Sequence, residues 1–194
     1  MSDITKKAIA AAFKQLLLRK RLSKITVADI TELCGINRQT FYYHFQDIYD
    51  LVEWICVNDT EQVLKENKTY DTWQEGFLAV FELARKDKVF IDNIYHSVQL
   101  ESLQQYLYRL VYPLLQNVVE EKAKNYVVRE EDADFIAHFY KYAFVGLLLD
   151  WIKDGMREEP KKIIERVSSV VQGTVDQSLR SCDARSHKYE NPKK

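Results

Sequence analysis

Twenty consecutive residues, Thr26 to Phe45 (TVADITELCGINRQTFYYHF), constrain this chain more than any other feature. They read as two short helices joined by a tight turn. Thr26 is suited to N-cap the first helix, its hydroxyl accepting from an otherwise orphaned amide. Val27, Ile30, Thr31 and Cys34 then recur at i, i+3, i+4 and i+7, one apolar stripe. Gly35 supplies the left-handed backbone that ends such a helix, and Ile36 returns the chain to the core. Asn37 is a second N-cap. Arg38 to His44 make about two turns, with Phe41 and Phe45 on the inner face.

That geometry leaves Arg38, Gln39, Thr40, Tyr42, Tyr43 and His44 pointing largely outward. Four successive residues Phe41-Tyr42-Tyr43-His44 cannot all face inward at 3.6 residues per turn, so aromatic surface is exposed. A helix tip bearing Arg and Gln has the chemistry to read base edges. Arginine matches the O6/N7 pair of guanine and glutamine the N6/N7 pair of adenine. Hydroxyls and an exposed imidazole suit phosphate oxygens.

Charge is distributed accordingly. Residues 1–46 carry eight Lys/Arg against three Asp/Glu, whereas residues 47–194 carry 20 against 26. A basic head on an acidic body suggests a nucleic-acid-binding module joined to something that is not one. Arg19-Lys20-Arg21 with Lys24 either lines a phosphate backbone or complements a helix end, and the two roles are compatible. Three widely spaced cysteines (Cys34, Cys56, Cys182) show no metal-ligand spacing, so reduced thiols are expected, with Cys34 a small core residue. No metal or cofactor is expected. The absence of a signal peptide and of any run of 18 apolar residues leads us to expect a soluble, cytoplasmic protein.

Five glycines and three prolines in 194 residues argue for an all-α chain. Ile9, Phe13, Leu16 and Leu17 form the inner face of a first helix. A long helix starts at Asp47 and runs to about Lys65. Asn67 to Asp71 is a polar break, after which Thr72 caps a helix with Trp73, Phe77, Val80, Phe81 and Ala84. A short helix over 87–96 buries Phe90, Ile91 and Ile94. Another spans 101–124 with Pro113 inside it, where a kink is expected. Glu130 to Asp134 is an acidic helix start, favoured by the helix dipole.

The helix over 132–154 is the most apolar in the chain, and a last one begins near Pro160. Phe139, Ala143, Gly146 and Leu147 on the former, with Ile163, Val167, Val170, Val171 and Thr174 on the latter, are expected to form a self-complementary dimer interface. The expected division is 1–50 for a three-helix DNA-binding domain, 51–180 for a helical regulatory and dimerisation domain, and 181–194 for a flexible tail. About nine helices are expected in all.

Residues 3–55 resemble the N-terminal domain of the TetR family of bacterial transcriptional regulators. The Ile25-Thr26-Val27 entry, the Cys34-Gly35-Ile36 turn, Thr40 to Phe45 and the Asp47-to-Leu51 start of the next helix carry the likeness. The resemblance implies base-facing roles for Arg38, Gln39 and Tyr43, and phosphate-facing roles for Thr26, Thr40, Tyr42 and His44; Lys24 is placed with the latter group. It also implies a homodimer on a near-palindromic double-stranded operator. Two positions depart from the family pattern. Thr31 stands where alanine is usual at the helix–helix contact, which implies looser packing or a back-bonded hydroxyl. Ile48 replaces a common lysine and removes a phosphate contact.

Family members often hold a small effector among the central helices, and Tyr95, His96, Tyr106, Tyr108, Tyr112, His138, Tyr142 and Trp151 are the candidates here. A narrower resemblance, carried by Asp47 to Val52 and Gly146 to Met156, is to a subgroup that includes activators of dihydroxyacetone kinase operons, controlled by a kinase-like coactivator protein. Both modes of control stay open. The competing class is an all-α enzyme or scaffold with an incidental hairpin. No nucleophile–base pair, His-x-x-x-His motif or phosphate-cradling glycine loop supports an enzyme.

Overall fold

The computed structural model describes residues 2–64, 72–97 and 100–184. These residues form ten α-helices: α1 (Ser2–Leu17), α2 (Val27–Cys34), α3 (Arg38–His44), α4 (Ile48–Leu64), α5 (Trp73–Lys86), α6 (Lys88–Ser97), α7 (Leu100–Ala123), α8 (Glu130–Lys153), α9 (Pro160–Val171) and α10 (Thr174–Ser181). A 3-10 turn at Leu22–Lys24 precedes α2, and no strand occurs among the described residues. The polar break at 67–71 and residues 185–194 of the expected tail lie outside them.

The chain forms two compact units, one of residues 1–62 with 83–103 and the other of residues 63–82 with 104–194. The boundary expected after residue 50 therefore falls inside α4, whose first fifteen residues stay with the first unit, and α6 joins them. The reason is hydrophobic. Phe90 and Ile94 of α6 share one buried cluster with Ile9 and Phe13 of α1, Ile30 of α2, Phe41 of α3 and Leu51 and Ile55 of α4. Phe13 and Phe90 meet edge to face with ring centroids 6.3 Å apart.

Polar fastenings lie around that cluster. Lys14 of α1 donates to Asp59 of α4 at 2.8 Å and to Asp87 before α6 at 2.5 Å, with its ammonium 5.1 Å from the Phe90 ring centroid. The Leu22 amide donates to Asn93 of α6 at 3.3 Å. Cys56, beside this network, is chemically quiet, since burial pushes its thiol up to about 12.

The second unit is built on α8. Ile136, Tyr140, Phe144, Leu148 and Trp151 are buried on one side, whereas Phe135, Phe139, Tyr142 and Leu147 are exposed on another. Phe144 packs on Trp73 and Phe77 of α5, and Trp151 on Phe81. Among the described helices, α8 alone is long and apolar enough by length and composition to cross a membrane, with a window hydropathy of 1.2. Half of that window is buried within the protein, which accounts for its composition as a core helix.

The single last helix expected after Pro160 is in fact two. Gly173, at φ 78°, breaks it between α9 and α10, a conformation that costs an L side chain but not glycine. Thr174 opens α10 and returns its hydroxyl to the Val171 carbonyl at 2.8 Å. Part of the tail expected to be loose is fastened. Asp183 is buried, and the Ala184 amide donates to the Val127 carbonyl at 3.0 Å.

Candidate nucleic-acid interface

The α2–turn–α3 segment follows the local chemistry of its sequence. Thr26 N-caps α2 in a reciprocal box: the Asp29 amide donates to the Thr26 hydroxyl at 3.2 Å, and the Thr26 amide donates to Asp29 at 2.9 Å. Gly35, at φ 72°, ends α2, and the Ile36 amide closes onto the Thr31 carbonyl at 3.0 Å. Asn37 caps α3 by accepting from the Thr40 amide at 2.7 Å. Phe41 is fully buried and Phe45 nearly so, and this fixes which way the rest of α3 faces.

Arg38, Gln39 and Tyr43 are exposed, Tyr43 at 82%. None of the three makes a side-chain hydrogen bond within the described residues, although Tyr43 stacks edgewise on His44 at 5.0 Å. They are unspent donors and acceptors at the tip of a short helix, which is the chemistry base-edge recognition requires. Tyr42 is 57% exposed and steadied edgewise against Phe41 at 5.6 Å. Lys24 is exposed and His44 half-buried.

Two expected phosphate-facing hydroxyls are already engaged. Thr26 donates to Asp29 at 2.8 Å, and Thr40 donates to Asn37 at 3.0 Å. Either could serve a phosphate only by exchanging that bond. Lys20, from the basic run, pairs with Asp29 at 2.7 Å, and chiefly this contact draws the Asp29 carboxyl down to about 2. The two groups stand nine residues apart, a spacing that no single helix period brings together. Thr31 carries the back-bonded hydroxyl its sequence position suggested, donating to the Ala28 carbonyl at 3.1 Å. Lys6 of α1, which the sequence did not single out, lies over Phe45 and Trp54 at 5.6 and 5.7 Å.

The eight aromatic and histidine candidates for an effector contact do not converge. Tyr95 and His96 belong to the first unit and the other six to the second. Trp151 is core, its indole donating to the Glu158 carbonyl at 2.9 Å, and Tyr106 is buried. Tyr108, Tyr112, His138 and Tyr142 do gather, along α7 and α8. A cavity of about 320 Å³ in the second unit is lined instead by Trp73, Tyr140, Phe144, Val171 and Val175 among others, and by none of the eight.

The expected dimer residues also divide. Phe139, Ala143, Leu147 and Val170 are exposed, and Gly146 and Val167 are half-buried. Ile163 is buried at 6%, Val171 lines the cavity, and the Thr174 hydroxyl meets the Tyr140 hydroxyl at 2.7 Å. These last three serve the subunit's own interior, Thr174 because the break at Gly173 turns the chain back toward α8.

An all-α chain whose capped helix pair presents an open Arg-Gln-Tyr tip belongs with the helix-turn-helix transcriptional regulators. Residues 8–55 match the family model described as bacterial regulatory proteins, tetR family, and residues 71–173 match that of a transcriptional regulator C-terminal region. The chain belongs to the TetR family of transcriptional regulators. It is 30% identical over 156 residues to the HTH-type dhaKLM operon transcriptional activator DhaS of Lactococcus lactis subsp. lactis (strain IL1403), covering 79% of this chain and 82% of that one. Among solved structures, the dihydroxyacetone kinase operon activator DhaS superposes with a TM-score of 0.70 at 23% identity, over 93% of this chain and 99% of that one. The TetR family repressor AlkX from Dietzia sp. strain DQ12-45-1b gives 0.57 at 15% identity, over 90% and 96%. The two structural likenesses speak to the fold. The families matched are of regulators, not enzymes.

Proposed function

We propose that the protein acts in the cytoplasm as a homodimer that binds a near-palindromic operator and regulates transcription there. The observation carrying this reading is an apolar face left open on α8. Phe135 and Phe139 are 72% and 62% exposed at i and i+4, with Ala143, Leu147 and, on α9, Val170 exposed as well. Aromatic surface so arranged on one helix calls for a cover, and a two-fold axis lets the same face cover itself. Two α3 tips then address major grooves about 34–36 Å apart, or a multiple of that spacing. Arg38, Gln39 and Tyr43 read bases, while Tyr42, His44 and Lys24, with Thr26 and Thr40 after exchange of their caps, hold phosphates.

The likeness to the dhaKLM operon activator supports activation of a dihydroxyacetone kinase operon as the specific role. In that reading a kinase-like coactivator, or a small effector, favours one arrangement of the two heads over another. Light scattering and footprinting on DNA flanking the gene test the proposal together. The chain should run as a dimer and protect an inverted repeat with steep salt dependence. Phe139→Glu should yield a folded monomer with the protected repeat lost; a monomeric wild-type chain that still protects both half-sites would overturn the dimer.

A further inference from the structure

Lys141 is buried at 7% exposure, the only lysine or arginine so placed among the described residues. Its ammonium sits 4.5, 5.0 and 5.4 Å from the ring centroids of Tyr142, Tyr108 and Tyr112. Ring faces attract a cation, but they do not neutralise it or accept its three N–H bonds in good geometry. No carboxylate pairs with it among the described residues. The nearby Asp134 is committed elsewhere, one oxygen accepting from the Tyr112 hydroxyl and the other 3.3 Å from His138.

The surrounding phenols are poised in the same sense. Gln104 donates to the Tyr108 oxygen at 2.5 Å, which leaves the Tyr108 proton to donate onward. The Tyr142 hydroxyl has no hydrogen-bond partner among the described residues, and its ring is 53% exposed, so the cluster opens to solvent on that side. The Tyr112 phenol, held by Asp134, stays protonated with its pKa raised to about 12. A buried cation and two unspent hydroxyls form a set of donors without an acceptor. Burying a charge unpaired is costly, and a ligand oxyanion would remove that cost.

We propose that Lys141, Tyr108 and Tyr142 bind the carboxylate or phosphate group of a small metabolite, where α7 and α8 meet. Its regulatory meaning rests on the transcriptional reading above; the site itself does not.

The test is thermal unfolding of the full chain in inorganic phosphate, in acetate, and in sodium chloride at matched ionic strength. Phosphate or acetate should raise Tm saturably by roughly a few degrees beyond chloride, and the preferred anion names the class. Arg38→Ala should keep the response, which separates this site from phosphate held at the DNA-facing helix. Lys141→Met should abolish the response and melt higher than wild type without anion, because an apolar isostere relieves the unpaired charge. Should Lys141→Met fail to fold, Tyr142→Phe should weaken the half-saturating anion concentration by roughly tenfold. A wild-type response no larger than that to chloride, or one unchanged in Lys141→Met, overturns the site. Operator binding is measured on the same samples, so that a chain binding anion but no DNA would defeat the regulatory reading alone.

Discussion

Each unit holds a lysine over an aromatic ring, and the two are treated differently. In the first, Lys14 meets two carboxylates, Asp59 and Asp87, and ties α1 to α4 and to the start of α6. In the second, Lys141 meets three phenol rings and, among the described residues, no anion. The first unit closes its polar bonds from within; its caps, its Lys20–Asp29 pair and its back-bonded Thr31 are all local solutions. Its exceptions are the side chains at the tip of α3. The second unit leaves a cation and an aromatic face open. Where a protein leaves polar or apolar valences unspent, something outside the chain is expected to meet them.

Six substitutions test that contrast. The largest effect is expected at Lys14. Lys14→Met strands two carboxylates near each other and should cost about 2–3 kcal/mol in chemical denaturation; a loss below roughly 0.5 kcal/mol would mean the network fastens nothing. Its pH dependence has a definite sign. Burial lowers the Lys14 pKa, but the bonds to Asp59 and Asp87 outweigh this and raise it above its ordinary 10.5. The stabilisation is then complete below that value and lost as pH climbs through the raised one. The wild-type advantage over Lys14→Met should therefore shrink in the alkaline range alone.

Arg38→Ala comes next and should leave stability untouched while costing about 1–3 kcal/mol in operator binding, with base preference relaxed at one position. Equal losses on every operator variant would make Arg38 a phosphate contact. Tyr42→Phe should behave in that second way, weakening all variants alike. Thr26→Ala removes a cap and should cost about 1 kcal/mol of stability. Asp29, drawn down to about 2, adds a sign at the acid end. Its contribution is present above the ordinary carboxylate range and disappears as pH falls toward 2, so Asp29→Asn should flatten stability across that interval. Smallest of all, Thr31→Ala should shift stability by less than about 0.5 kcal/mol, since the hydroxyl it removes is satisfied within its own helix turn.

Local structure was legible in the amino-acid order. Capping by Thr26 and Asn37, the left-handed Gly35, the burial of Phe41 and Phe45 and the exposure of Arg38 and Gln39 all follow from residues within a few positions of one another. Contacts between distant residues were not. Thr174 continues the apolar stripe of α9, yet the turn at Gly173 brings it to Tyr140, 34 residues earlier. Phe90 and Ile94 look like ordinary body residues until they appear in the core of the first unit. Lys141 lies in a stretch whose pattern gives its charge no special standing.

Helix periods, caps and the chemistry of the α3 tip were therefore decided by the amino-acid order alone, because backbone hydrogen bonds and side-chain spacing act over one or two turns. Which helices share a core, which hydroxyls are already spent and which cation stands without a counter-charge were decided only by the fold. Burial and pairing are properties of neighbours in space, and the chain's order does not specify those until it has closed on itself.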